Sequence, residues 1–366
     1  MATTDTIAER MSDADIEVVR AEVERALDDF DTRSQTRNLL ETTGKFDRTV
    51  WSVAAELGWL AASVPEALGG LGMGLEMRSA IAEELGRRLA SIPFAVHTAV
   101  LSVLAQAKNG VKETLIAEGI AGTVVLTAAV FEAGESAVPA RPFVRFDGRV
   151  VSGEKVAVCA GAFADYALVL CERNTLALVD LRQSAVERLG VESIDNGRGY
   201  ATLVFDGAEA LPVTGDCLFD LLLDELAVLT AFEQIGGAAS CLSTTRDYAL
   251  ERRAFGQPIG AFQAVKHGLA DFYVLIQIAR GAALASLDAT PEEMRLAAAS
   301  ARLAATRAYD HCAQEAIQLH GGIGATWEAD LHLHLRRSRC LAQEWGGPVY
   351  WRERLLQAFE ERGGKA

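Results

Sequence analysis

Arg252-Arg253-Ala254-Phe255-Gly256-Gln257-Pro258-Ile259-Gly260-Ala261-Phe262-Gln263, answered further along by Gln318-Leu319-His320-Gly321-Gly322-Ile323-Gly324, decides how this chain is read. A guanidinium fork donates paired, coplanar hydrogen bonds to a pyrophosphate. An aromatic face stacks on adenine, and glycine lets the backbone approach a ligand that a Cβ would hold off. The two stretches supply all three, with two amides besides, and without a Rossmann fingerprint. They read as the grip of a flavin dinucleotide, the competing reading being ordinary packing residues around tight turns.

Outward from that pair, composition sets the frame. The chain has 366 residues, half of them apolar and 23% charged, enough to bury two or three cores and far from a disordered composition. Runs such as Leu221-Leu222-Leu223 or Tyr166-Ala167-Leu168-Val169-Leu170-Cys171 fall short of the roughly 20 residues that cross a bilayer. The N-terminus is acidic early and lacks an apolar stretch before small residues, so it does not read as a secretory signal, and a cytoplasmic protein is expected. Six cysteines at 159, 171, 217, 241, 312 and 340 show no C-x-x-C spacing and read as buried thiols rather than zinc ligands or disulfides.

A net charge of −15 argues against nucleic-acid binding. An anionic nucleotide or thioester then has to be held by local cations. Arg252, Arg253 and the run Arg336-Arg337-Ser338-Arg339 are the candidates, the last being equally readable as a solvated helix face or subunit contact.

The pattern divides the chain into three parts. Residues 1–119 carry helical periodicity broken at Thr43-Gly44 and between Pro65 and Gly74. Residues 120–212 switch to short β-branched runs, among them Val124-Val125-Leu126 and Thr202-Leu203-Val204-Phe205, with turn signals at Asp147-Gly148, Ser152-Gly153 and Asn196-Gly197. Residues 213–366 return to long helices. There Thr290-Pro291-Glu292-Glu293 places Thr at N-cap, Pro at N1 and Glu at N3, opening an alanine-rich helix whose Ala297, Ala301, Ala304, Ala305 and Ala308 allow close neighbours. The expected fold is α+β: an N-terminal helical domain, a middle small β-barrel or sandwich, and a C-terminal four-helix bundle.

Both signature stretches resemble the C-terminal motifs of the acyl-CoA dehydrogenase family. Glu56-Leu57-Gly58-Trp59-Leu60, Val64-Pro65-Glu66-Ala67-Leu68-Gly69-Gly70-Leu71-Gly72 and Ala82-Glu83-Glu84-Leu85-Gly86-Arg87 resemble its N-terminal ones, in the same order. The resemblance implies the three-part fold above and FAD as cofactor. It implies α,β-desaturation of an acyl-CoA, with electrons passing to an electron-transfer flavoprotein. In similar proteins Arg252, Phe255, Gln263, Gln318, Gly321 and Gly322 would reach the adenosine end of a partner subunit's FAD, so the site belongs to an oligomer.

Around the flavin ring the likeness fades. Where the family carries an acidic-Pro-Gly-Ala-Gly-Ser-Asp loop this chain reads Leu126-Thr127-Ala128-Ala129-Val130-Phe131-Glu132. Ala157 and Cys159 stand in the slots of a flavin-contacting Trp and Thr. The base, which should sit in an apolar pocket that raises its pKa, is displaced as well. One family slot falls on Trp345, flanked by Glu344, and the other on Leu226, flanked by Glu225. One residue on a helix turns a side chain by about 100°, so Glu233, seven residues beyond Leu226 on about the same face, ranks ahead of Glu344 and Glu225. The Glu233-Gln234 pair resembles a bacterial subgroup, some members acting on steroid side chains, that assembles as heterotetramers in which one subunit type supplies the base and the other supports FAD. This chain looks closer to the supporting type, so the expected partner is a paralogous subunit in a heterotetramer, or a second copy of the chain.

Two smaller readings complete the set. Gly236-Gly237-Ala238-Ala239 leave room beside their helix for something bulky, such as a branched acyl chain. His332 and His334, two apart on a helix, point about 200° from each other and cannot share a metal ion.

Overall fold

The computed structural model describes residues 13–109, 113–135 and 137–363, so the leader reading of the first twelve residues lies outside it. The N-terminal helices are α1 (Asp13–Leu27), α2 (Thr32–Leu39), α3 (Arg48–Glu56), α4 (Gly74–Arg87), α5 (Phe94–Ala105) and α6 (Glu113–Ile120). The start of α3 follows capping chemistry. Asp47 accepts the amides of Thr49 and Val50 at 3.0 and 3.1 Å, satisfying donors that a helix cannot pair itself. Buried His97 of α5 accepts the Leu126 amide at Nδ1, and its Nε2 meets the Gly119 carbonyl, which ties α5 to the end of α6 and to the first strand.

The middle of the chain is one seven-stranded sheet: β1 (Leu126–Ala129), β2 (Arg145–Phe146), β3 (Val150–Val158), β4 (Tyr166–Cys171), β5 (Thr175–Asp180), β6 (Val186–Gly190) and β7 (Ala201–Val213). The strand order is β1-β4-β5-β7-β3-β2, with β6 also on β7; only β1 and β4 pair in parallel. Long β7 joins two halves, its end pairing with β5 and its beginning with β3 and β6. Asp147-Gly148 makes the expected hairpin turn, with Asp147 accepting the Arg149 and Val150 amides. Ser152-Gly153 does not turn the chain: β3 runs through it with a bulge, Gly153 at φ 133° absorbing the register shift.

The C-terminal part holds α7 (Leu218–Glu251), α8 (Gln263–Leu287), α9 (Pro291–His320), α10 (Leu331–Gln343) and α11 (Pro348–Gly363), one helix more than a simple four-helix bundle. The capping box at Thr290 and Glu293 is present. Helix α7 runs 34 residues and is buried over most of its length because α4, α5, α8 and α9 all pack on it. By length and composition α8 passes as a membrane span, which the short apolar runs did not foresee. Its Phe272, Ile276, Ala279 and Ala283 are nonetheless buried in the bundle, while Tyr273, Val274, Ile278 and Leu284 form an exposed stripe.

Candidate functional site

Between α7 and α8 the first signature stretch forms a two-stranded hairpin, β8 (Arg253–Ala254) with β9 (Gln257–Pro258). Phe255 and Gly256 make its two-residue turn at φ 51° and 82°, the doubly left-handed geometry whose twist suits a tight hairpin. Phe255 is 96% exposed, so a strained backbone holds an aromatic ring out into solvent. Arg252 caps α7, and its exposed side chain makes no ion pair among the described residues. Gln263 opens α8.

The second stretch ends α9. Gly321 stops the helix at φ 63°, its amide bonded to the Gln318 carbonyl, and the space where a Cβ would stand at Gly321 or Gly322 is open. Tyr248, one turn before Arg252, joins the two stretches. Its ring stacks on His320 with centroids 4.1 Å apart and planes at 20°, and its hydroxyl donates to the His320 carbonyl at 3.3 Å. Leu319 lies under Gly268 of α8. The donor set therefore suits the adenosine half of a dinucleotide: an unpaired guanidinium, a projecting ring and a glycine edge with room above it.

The three carboxylate candidates lie elsewhere, all inside and all held. Glu225 is clamped by both terminal nitrogens of Arg78, at 2.7 and 2.9 Å, and takes the Ser102 hydroxyl at 2.9 Å. Glu344 receives Arg198 at 2.8 and 2.7 Å and the Tyr200 hydroxyl. Glu233 receives Arg198 at 3.0 Å and Arg337 at 3.4 Å, both on Oε1. With Asp195, which pairs with Arg337, and Arg302, these groups form a buried set of three cations (Arg198, Arg302, Arg337) and three anions (Asp195, Glu233, Glu344).

Burial alone would raise the Glu344 carboxyl, yet Arg198 and Tyr200 outweigh it and hold the carboxyl below the usual range. This is the reverse of the raised pKa expected of a base in an apolar pocket. Burial brings the Arg302 guanidinium down to about 10, against the pull of Glu344 and Glu233. Asp195 Oδ1, Gln234 Nε2 and Arg302 Nε lack protein partners, positions that ordered water would satisfy.

Space is equally limited. Beside Glu233, among Ala82, Leu85, Ala90, Ile92, Phe94 and Ala95, there is a cavity of about 10 Å³, the size of a single water. The room expected beside Gly236 and Gly237 is filled: a Cβ on Gly236 would strike the Glu83 carbonyl of α4, and one on Gly237 the Tyr309 ring. The flavin-ring slots are packed as well. Thr127, Ala128, Ala129, Val130, Val158, Cys159 and Ala160 are all buried, and Thr127 donates to the Cys159 carbonyl. Ala157 alone turns outward, at φ 50° on a second irregularity of β3. Beneath it a buried pair, Lys155 to Glu132 at 2.8 Å, pins the following loop, since Glu132 also takes the Phe143 and Val144 amides.

A wider cleft, about 1090 Å³, opens between the sheet and the starts of α7, α9 and α11. Its arginines are engaged, Arg354 by Asp220 and Asp224 and Arg295 by Asp220 and Glu361. His332 stacks on Trp327 while His334 points inward to Tyr309, so the two do diverge, and no cluster of three potential metal ligands occurs among the described residues.

Sequence reading missed Arg198, Tyr200, Asp195 and Tyr248. Tyr248 had a usable signal, standing four residues before Arg252 and so on the same helix face. Arg198 had none beyond a turn at Asn196-Gly197. In the basic run, Arg337 is neither solvated nor a phosphate ligand but part of the buried set, and Arg336 donates to the Ile194 carbonyl.

Residues 13–123 match the acyl-CoA dehydrogenase N-terminal domain and residues 221–349 the acyl-CoA dehydrogenase C-terminal domain. The acyl-CoA dehydrogenase IpdE2 of Mycobacterium tuberculosis is 35% identical over 303 residues, 81% of this chain and 82% of that protein. Among solved structures, the Tcur3481-Tcur3483 steroid ACAD G363A variant superposes with a TM-score of 0.87 at 26% identity, covering 96% of this chain and 99% of that one. The ChsE4-ChsE5 complex from Mycobacterium tuberculosis gives 0.86 at 25% identity, covering 96% and 98%.

Proposed function

The chain belongs to the acyl-CoA dehydrogenase family, and from that premise we propose that it is the FAD-supporting subunit of a heteromeric enzyme whose paralogous partner supplies the base. The observation that carries this reading is Arg198, one guanidinium held by both Glu344 and Glu233. A carboxylate so neutralised is a weak proton acceptor, and the cavity beside it has no room for an acyl chain. Arg252 would hold the pyrophosphate, Phe255 the adenine, and Gln263, Gln318, Gly321 and Gly322 the rest of the adenosine end of a flavin seated mainly in the partner.

Bound FAD supplies the acceptor for the hydride leaving the β-carbon of the acyl-CoA, with an electron-transfer flavoprotein as the next carrier. The exposed α8 stripe and projecting Phe255 support an oligomer. Likeness to complexes named for two chains, one of them a steroid ACAD, favours a paralogous partner and a bulky acyl group. A second reading keeps the base in this chain at Glu233, whose two contacts both fall on one oxygen.

Isolation through a tag on this chain, from its own host, separates the two. The expected product contains a second acyl-CoA dehydrogenase chain and FAD, and bleaches with an acyl-CoA, while the chain produced alone does not. A homo-oligomer that reduces its own FAD with an acyl-CoA, and loses this on Glu233→Gln, would overturn the supporting role.

A further inference from the structure

We propose that Tyr248 and His320 are positioning residues that lock the guanidinium and the glycine edge of the nucleotide grip into one rigid unit, an inference that rests on the FAD-supporting role above. Helices α7 and α9 both end here, and helix C-termini expose unpaired carbonyls carrying partial negative charge, which repels phosphate. The site must cover such carbonyls and hold its cation in front of them. Tyr248 does both. Its own carbonyl accepts the Arg252 amide at 2.8 Å, fixing where the guanidinium leaves the helix, and its hydroxyl covers the His320 carbonyl one residue before the Gly321 bend.

The His320 ring is fixed from below. A carbonyl only accepts, so Nδ1, 2.8 Å from the Ala316 carbonyl, carries the proton and donates to it. The ring then offers a flat, buried face on which Tyr248 stacks. Backbone that would otherwise fray at two helix ends is thereby coupled, so Arg252 and Gly321 keep one separation before any ligand arrives. Such preorganisation lowers the ordering cost of binding.

The test is a titration of FAD into the deflavinated oligomer, isolated through a tag on this chain and followed by flavin fluorescence. Tyr248→Leu, which removes ring and hydroxyl, should weaken FAD about tenfold or more, whereas Tyr248→Phe, which keeps the stack, should stay within about threefold. Subunit mass and thermal midpoint of the flavin-free oligomer should match wild type in both. Tyr248→Leu binding within about twofold of wild type overturns the proposal, and so does a loss that tracks a fallen midpoint or broken assembly, which marks a merely structural residue. A wild-type oligomer that takes up no FAD would overturn the supporting role itself, and the positioning role with it.

Discussion

Gly86 and Gly236 mark the crossing of α4 and α7, each standing against the other helix's backbone three residues before the partner glycine. A methyl on Gly86 would collide with the Glu233 carbonyl, and one on Gly236 with the Glu83 carbonyl. The crossing sets the depth of α7 and therefore where Glu233 stands. Gly236→Ala should destabilise the chain by about 3 kcal/mol or prevent its accumulation, because backbone rather than a flexible side chain must give way. Gly281→Ala, on the exposed side of α8 with nothing near its would-be Cβ, should be neutral or stabilising by up to about 1 kcal/mol in the isolated chain. Urea midpoints of the two variants make the comparison.

Arg198 is the common partner of two buried carboxylates from different helical segments, so its removal takes the ion-pair partner from Glu344 and leaves Glu233 with the longer Arg337 contact. Arg198→Met should cost about 3 to 5 kcal/mol, the range for breaking a buried pair from one side. Adding Glu344→Gln should recover a large part of that, since a neutral amide needs no counter-charge and Tyr200 can still donate to it. A double-mutant cycle by chemical denaturation measures the coupling, and additivity of the two changes would mean that the pair is not the unit described.

How much of this was legible in the sequence follows from how local each cause is. The capping box at Thr290, the end of α7 at Arg252 and the glycine stop at Gly321 depend on neighbours within four residues and could be read directly. So could the helix-sheet-helix order, which rests on periodicity. Arg198 could not: its partners stand 35 and 146 residues away, and nothing around Asn196-Gly197 distinguishes a loop arginine in water from one enclosed by two carboxylates. The glycines of α7 were misread for a related reason. Gly-Gly-Ala-Ala allows either an open groove or a close crossing, and only the tertiary packing of α4 and Tyr309 decides between them.

Two buried histidines give the fold an acid-sensitive range. Burial drives the His97 imidazole down to about 4 and that of His334 to about 3, below the ordinary 6.5. Unfolded chains take up protons below that ordinary value while the folded chain does not, so stability is full above pH 6.5 and falls as pH drops from 6.5 toward 4 and 3. Between pH 7 and pH 5 each should remove about 2 kcal/mol. His97→Gln should lower stability at pH 7 but flatten the fall between pH 7 and 5 by about 2 kcal/mol, as urea titrations at the two pH values would show. An unchanged slope would mean that His97 is protonated in the folded chain.

Phe255 separates the needs of the fold from those of the proposed nucleotide grip. Its ring is almost wholly in solvent, with Phe262 edge-on to it at a centroid distance of 6.2 Å, and its backbone sits at a positive φ that a side chain disfavours. Folding alone has little use for it. Phe255→Ala should therefore shift the stability of the isolated chain by no more than about 0.5 kcal/mol, as for a surface substitution. In the assembled oligomer the same change should weaken FAD about tenfold, within the roughly 1 to 3 kcal/mol that stacking a base on an aromatic ring provides. Unaltered FAD affinity with unaltered stability would leave the projecting ring without the adenine it is proposed to meet, and the hairpin would then be an assembly contact alone.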